Sequence, residues 1–348
     1  MLRLAIVFLV AITAWAAPGR AAPARPDLFS VTGIKIEASA ESAISARDVA
    51  MAQGRAAAWT KLFHRLTAAA NWRKQPALDE KALERLIRGF EVANERRSTT
   101  RYLADVSFHF NPNAVRNLLR QSNIAYTETR SPPVLVIPLI GGAGFDAMSP
   151  WTAAWKDNEL QQGLVPFVTP AADDPDADLL ERPDLTQVDW NALAAMARRY
   201  NAGAVILASA SEDAKTVQMI ELSPAGRAAA SFAYAQSSFP ADAQAVAERA
   251  EDAWKSRNAV DFTVRSQLVA DVQFDSLDDW ARIRSGLAAV RSISDVDVMG
   301  LTLHEAEISL TYSGRSEQLR DALAQQKLEL LDMNGLFTLH QAAVSAAK

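Results

Sequence analysis

The chain has 348 residues, 49% of them apolar, which is enough for two or three domains with packed cores. It holds no cysteine, so disulfides, thiol catalysis, thiolate metal sites and the lipid-bearing cysteine of a lipoprotein are excluded. A formal charge of −5 offers no attraction to phosphate backbones and argues against nucleic acid as the main partner.

The first element predicted is a leader. Arg3 precedes an uncharged run from Leu4 to Ala17 (LAIVFLVAITAWAA), and Pro18 and Gly19 break it before a stretch of small residues. This is the layout of a secretory signal peptide over residues 1–24. Cutting after Ala24 leaves Ala22 and Ala24 at the small-residue positions; cutting after Ala21 uses Gly19 and Ala21 instead. The run of about 14 residues falls short of the ~20 needed to cross a bilayer. Cleavage after Ala24 removes Arg3 and Arg20 and no acid, taking the charge from −5 to −7. The expectation is a periplasmic protein with no stable membrane span after cleavage, whose cores rest on packing alone.

A first unit is expected over residues 27–131. Phe29 to Ile36 alternates like a strand. Ser42 to Thr67 reads as a long helix, with Met51, Ala58, Trp59, Leu62 and Leu66 on one stripe and Gln53, Lys61 and Arg65 elsewhere. Leu78 to Ile87 reads as a second helix. A hairpin follows, whose return strand places Ala104, Val106, Phe108 and Phe110 on one face. Asn111-Pro112 then starts a helix, with proline at its tolerated first position.

Ser131-Pro132-Pro133 marks an extended linker, and a second unit is expected over residues 132–259. Val134 to Ile140 (VLVIPLI) is apolar almost throughout, as in a strand covered on both faces. A helix from Ser149-Pro150, a strand over Leu164 to Val168, a helix capped by Asp189 and a buried strand from Ala204 to Ala208 follow. Val217 to Leu222 and Ala228 to Gln236 then pair across Ser223-Pro224-Ala225-Gly226, and a helix from Ala241 to Arg257 closes the unit. This is an α/β sheet with an antiparallel edge. Ala171 to Asp178 (AADDPDAD) reads as a surface loop.

The third unit, residues 260–348, reads β-α-β-β-α-β, the ferredoxin-like order. Its strands centre on Val272, Val298, Ile308 and Leu330, and its helices run from Asp278 to Val290 and from a cap at Ser316. Asn334-Gly335 turns a last hairpin toward Phe337 and Leu339. The fold class expected for the whole chain is α+β / α/β, in three small units.

Three stretches carry a resemblance: Ala46 to Thr67 (ARDVAMAQGRAAAWTKLFHRLT), Tyr102 to Leu139 (ending SPPVLVIPL) and Ala270 to Val290 (ADVQFDSLDDWARIRSGLAAV). They resemble the exported bacterial domain-of-unknown-function family twenty sixty-six. The motifs shape a fold and imply no chemistry. The second unit is also similar, in element order, to the α/β domain shared by the amino-terminal part of TolB and by CsgG. That resemblance implies an envelope adaptor or assembly factor by fold analogy.

Candidate sites are few. Gly141, Gly142, Gly144 and Ala147 follow a buried strand with dinucleotide-loop spacing, but the helix starts only after Ser149-Pro150 and no acid stands about 20 residues on. Asp174, Asp176 and Asp178 have alternate calcium-loop spacing, with leucines at the glycine and bidentate positions, and read as a solvated acidic turn. His64, His109, His304 and His340 fall in four different elements without ligand spacing. Seven of the eight tryptophans, Trp59, Trp72, Trp151, Trp155, Trp190, Trp254 and Trp280, read as core more readily than as a sugar platform. Arg47, Arg55 and Arg65 form a basic side of the first long helix, a solvated face or a dock for an acidic partner. Neither G-x-S-x-G nor a P-loop occurs. The expectation is no catalytic residue, no cofactor and no metal, and a non-catalytic adaptor or assembly factor with an envelope protein partner. The alternative is a ligand-binding module or enzyme using the Gly141–Gly144 loop. The oligomeric state stays open.

Overall fold

The computed structural model describes residues 27–342, apart from 142–143, 158–159, 172–173, 182–184, 214, 234–237 and 334. The leader therefore lies outside the described residues, as do Gly142 and Asn334. The described chain is α+β and builds three separate sheets. Among the described residues no helix is long and apolar enough to cross a membrane.

The first sheet has the order β1-β3-β2, with β1 (Ser30–Ser39), β2 (Ile87–Arg97) and β3 (Arg101–Phe110) all antiparallel. Alternation places Tyr102, Ala104, Val106, Phe108 and Phe110 on the buried face of β3. Across that face lies α1 (Ala43–Leu66), started by the Ser42 side chain, which accepts from the Ser45 amide. Met51, Ala58, Trp59, Leu62 and Leu66 are all buried, as their spacing required. Gly54 lets helix and sheet approach closely, because a Cβ there would stand 2.6 Å from Ile36 Cγ2. The helices α2 (Glu80–Leu86) and α3 (Pro112–Gln121) flank the same core, and Asn111 caps α3.

The second sheet has the order β5-β4-β6-β7-β8. Its strands are β4 (Val134–Ile140), β5 (Phe167–Val168), β6 (Ala204–Ala210), β7 (Thr216–Ser223) and β8 (Gly226–Ala233). β5, β4 and β6 run parallel, and β7 and β8 continue antiparallel. The apolar run of β4 is explained by two cores. Val134 and Val136 pack toward α4 (Pro150–Ala154) and α7 (Phe239–Asn258), while Leu135, Ile137 and Leu139 pack toward α5 (Asp174–Leu180) and α6 (Trp190–Arg199).

Two expectations are corrected in this sheet. The strand expected over Leu164 to Val168 shrinks to Phe167–Val168, and the Leu164 and Val165 amides lie instead where they favour the charged form of the Glu251 carboxylate. The acidic stretch Ala171 to Asp178 is not simply a solvated loop. It enters α5, and Asp176 is buried, paired with Arg199 and accepting from the Tyr200 hydroxyl at 2.9 Å.

The third sheet has the order β10-β11-β9-β13-β12. It is built from β9 (Arg265–Gln273), β10 (Ile293–Leu301), β11 (Glu305–Ser313), β12 (Leu328–Met333) and β13 (Leu336–Gln341), with α8 (Leu277–Ala289) and α9 (Ser316–Gln325) on one face. The expected β-α-β-β-α order is present, with β11 inserted between β9 and β10. The final hairpin departs from the simplest ferredoxin pattern: its second strand, β13, pairs with β9 and runs parallel to it, leaving β12 at the edge. Arg315, one residue before the expected Ser316, caps α9, its amide donating to Gln318 Oε1 at 3.1 Å.

Candidate functional site

The strongest concentration of buried charge lies where the first sheet's helix meets the second sheet's last helix. The spacing Glu251-x-x-x-Lys255 puts both side chains on one side of α7, beside its buried residues Ala247 and Ala250. Lys255 is 3% exposed and its Nζ donates to the His64 backbone carbonyl at 2.8 Å, with Glu251 Oε2 at 3.7 Å. The Lys255 ammonium also stands 5.8 Å from the Trp72 ring centre, and Trp72 stacks on His64 at 3.9 Å. One turn earlier, Asp252 accepts from the Ala69 amide at 2.6 Å. Arg65 reaches the carbonyls of Leu28 and Ser30, each at 2.8 Å, and Gln162 at 3.2 Å.

Burial sets the electrostatics of the cluster. It holds the Lys255 ammonium below its usual value and pushes the Glu251 carboxyl up; each offsets part of the other's shift. Burial also brings Arg65 down to about 10, which leaves it charged at neutral pH. His64 is lowered first by burial and then by the Lys255 charge, with Glu248 opposing. Gly163 closes the site: a Cβ there would sit 1.4 Å from Glu251 Oε1, so only glycine lets the carboxylate reach the Leu164 and Val165 amides. An open cleft of about 380 Å³ borders the cluster.

A buried amine beside a carboxylate is the pattern of amine-based covalent catalysis. Here the amine is spent on a backbone carbonyl, and the acid on backbone amides. The Lys255 bond to His64 and the Ala69 bond to Asp252 tie α1 and its following turn to α7, while Glu251 stays within the second unit. The arrangement works as a joint between the first two units.

His64 gives this joint a pH dependence. The unfolded chain takes up a proton near the usual 6.5, before the folded chain does. Stability contributed by neutral His64 is therefore present above that value and lost as the pH falls through the lower folded value. Urea midpoints are expected to fall between pH 7 and pH 5 more steeply in the wild type than in His64→Asn; equal slopes would remove His64 from the joint.

A second joint links the first unit to the third. Tyr126 and Val260 form an isolated antiparallel bridge, and Tyr126 stacks on Phe262 at 5.0 Å. The Glu128 side chain accepts from Arg116 Nε and Nη2 at 2.7 and 2.9 Å and pairs with Arg291.

The sequence candidates fall in different places. The loop after β4 does lie at the carboxyl ends of the parallel strands, between β4 and β6, where order reverses and α/β sheets bind ligands. Its chemistry is unsuited to a phosphate. Gly141 has φ +57° and packs against Glu212, whose carboxylate oxygen would stand 3.1 Å from a Cβ there. Gly144 faces the Leu180 carbonyl, which would be 3.2 Å from its Cβ. The helix that follows has five residues, and its Thr152 amide is taken by the Ser149 hydroxyl.

The basic side expected from Arg47, Arg55 and Arg65 does not form one surface. Arg65 is buried in the joint, and Arg55 pairs with Glu80 and Glu84 of α2. His109 accepts or donates at 2.7 Å with the Ser30 hydroxyl. His304 and His340 come to one open cleft with Asp275, Asp279 and Glu305, which their separation in sequence did not indicate. Among the described residues no group of three or more His, Asp or Glu is placed to hold a metal ion. Trp59, Trp151, Trp155 and Trp280 are buried, while Trp72 and Trp254 stand at the joint and at a cavity.

Sequence reasoning missed Lys255 and Glu251. The signal was present as two charges on the apolar stripe of an Ala-rich helix.

Comparison with protein families, with curated proteins and with solved structures finds no match to this chain.

Proposed function

We propose that this protein is a non-catalytic adaptor or assembly factor of a bacterial cell envelope, exported to the periplasm and binding a protein partner through its third sheet. The observation that carries the reading is the outer strand β10. It is an edge of the sheet, with one side of its backbone outside the ladder, and Val298, Met299 and Leu301 on it are exposed by 45–54%. Leu303, just beyond it, is exposed by 75%. An open edge is a template for strand addition, and bulges blunt it; register shifts at Ile293/Asp295 and Val298/Gly300 leave Asp295 to Val298 as the regular stretch of β10. Asp295 and Asp297 are the acidic residues of the strand, and they suit an extended partner segment that carries apolar and basic side chains. The leader layout supports export, and the joints, which hold the units in place, support a scaffold role.

The test is cross-linking in intact cells followed by mass spectrometry, comparing the wild type with Val298→Lys/Leu301→Lys. Both positions are exposed, so folding should change by no more than about 0.5 kcal/mol per site. Loss of a reproducible partner in the variant, with unchanged circular dichroism, is the expected outcome. Capture of the same partners by both proteins, or of none by the wild type, would overturn the reading.

A further inference from the structure

A cavity of about 300 Å³ opens at the start of the parallel strands in the second sheet, and no residue of the third sheet lines it. Its floor is Val134 and Ile206, its roof Ala250 and Trp254 of α7, and the Pro224 turn between β7 and β8 closes one end. Gly203, Ala204 and Ala225 leave the space that larger side chains would fill. The Trp254 ring is fixed, because its Nε1 donates to the Thr129 carbonyl at 2.8 Å. The volume lies at the lower end of the range for small-molecule sites, and the lining is predominantly apolar, as such sites are.

Only two charged residues, Glu221 and Arg257, belong to this lining, and both remain in contact with solvent. Their signs are opposite. A monoanion or a monocation entering the cavity would meet one attractive and one repulsive group, whereas a zwitterion meets two attractive ones. A purely apolar molecule would gain nothing from either. We propose that the cavity binds a free apolar α-amino acid, with its side chain between the sheet and Trp254 and its ammonium and carboxylate held by Glu221 and Arg257.

Calorimetric titration of the purified protein tests this with alanine, 2-aminobutyrate, norvaline and norleucine. These share one zwitterionic end and differ only in chain length. Affinity should rise about fourfold for each methylene until the cavity is filled. Arg257→Gln should weaken norleucine binding by about fivefold while leaving norleucinamide unchanged, since the amide has no carboxylate to lose. Glu221→Gln should do the converse with N-acetylnorleucine as the insensitive ligand. Ala250→Leu should abolish binding by filling the space; if that variant fails to fold, the two charge variants still decide the matter. A flat chain-length series, no saturable binding of norleucine, or equal binding of hexanoate and norleucine would each overturn the proposal.

Discussion

Lys255→Ala is expected to lower the unfolding free energy by about 3–5 kcal/mol, read from urea denaturation followed by tryptophan fluorescence. The cost comes less from losing an attraction than from what is left behind. The Lys255 ammonium fills a donor position on the His64 carbonyl and is the first of the charges that offset the burial of the Glu251 carboxylate. Without it the carboxylate keeps its two backbone amides but loses its nearest cation, and its pKa should rise further. The double variant Lys255→Ala/Glu251→Ala should therefore be less damaged than the two single losses added together, with a coupling of at least about 1 kcal/mol. A loss below about 1 kcal/mol for Lys255→Ala would mean that the joint does not hold the units together.

Trp151→Ala should cost a similar amount, about 3–5 kcal/mol, and the damage should be local. Trp151 is fully buried, lies at 5.5 Å from Trp155 in an edge arrangement, and donates Nε1 to the Ala208 carbonyl at 2.9 Å. Truncation opens a cavity between α4, α7 and the second sheet and leaves that carbonyl with one bond fewer. Native-state hydrogen exchange should show lost protection in β4 and β6, with β1, β3 and β9 little changed, because the three sheets have separate cores. Uniform loss across all three sheets would show instead that they unfold as one.

The two variants probe different kinds of legibility. Trp151 sits where its position after Ser149-Pro150, at the start of a helix, placed it, and its burial follows from apolar spacing. Most strands and helices were readable in the same way: the alternation of Ala104, Val106, Phe108 and Phe110, the stripe of Met51, Trp59 and Leu62, and the unbroken Val134–Ile140 each encode a face through a local period. Where the reading slipped, a distant group had intervened. Leu164 and Val165 have strand-like side chains, but they lie outside β5, beside the Glu251 carboxylate. Asp176 looked solvated, but it packs against Arg199 and Tyr200. Arg65 looked like part of a basic face, but it is engaged by the carbonyls of Ser30 in β1 and of Leu28 just ahead of it.

The same division runs through the candidate site. The Gly141–Gly144 spacing was visible and its place at the ends of parallel strands was deducible, whereas Glu212, which approaches Gly141, belongs to a loop some 70 residues on.

Periodicity along the chain, turn residues and helix caps determined by themselves the order of elements and the three-part α+β organisation, because those features depend on neighbours within a turn or a strand pair. Which charges are buried, and therefore which side chains join the units, was decided only in three dimensions. His64 and Lys255 are 191 positions apart. The dielectric around a charge is set by whatever packs against it, and the stripe that holds Glu251 and Lys255 does not say what that is.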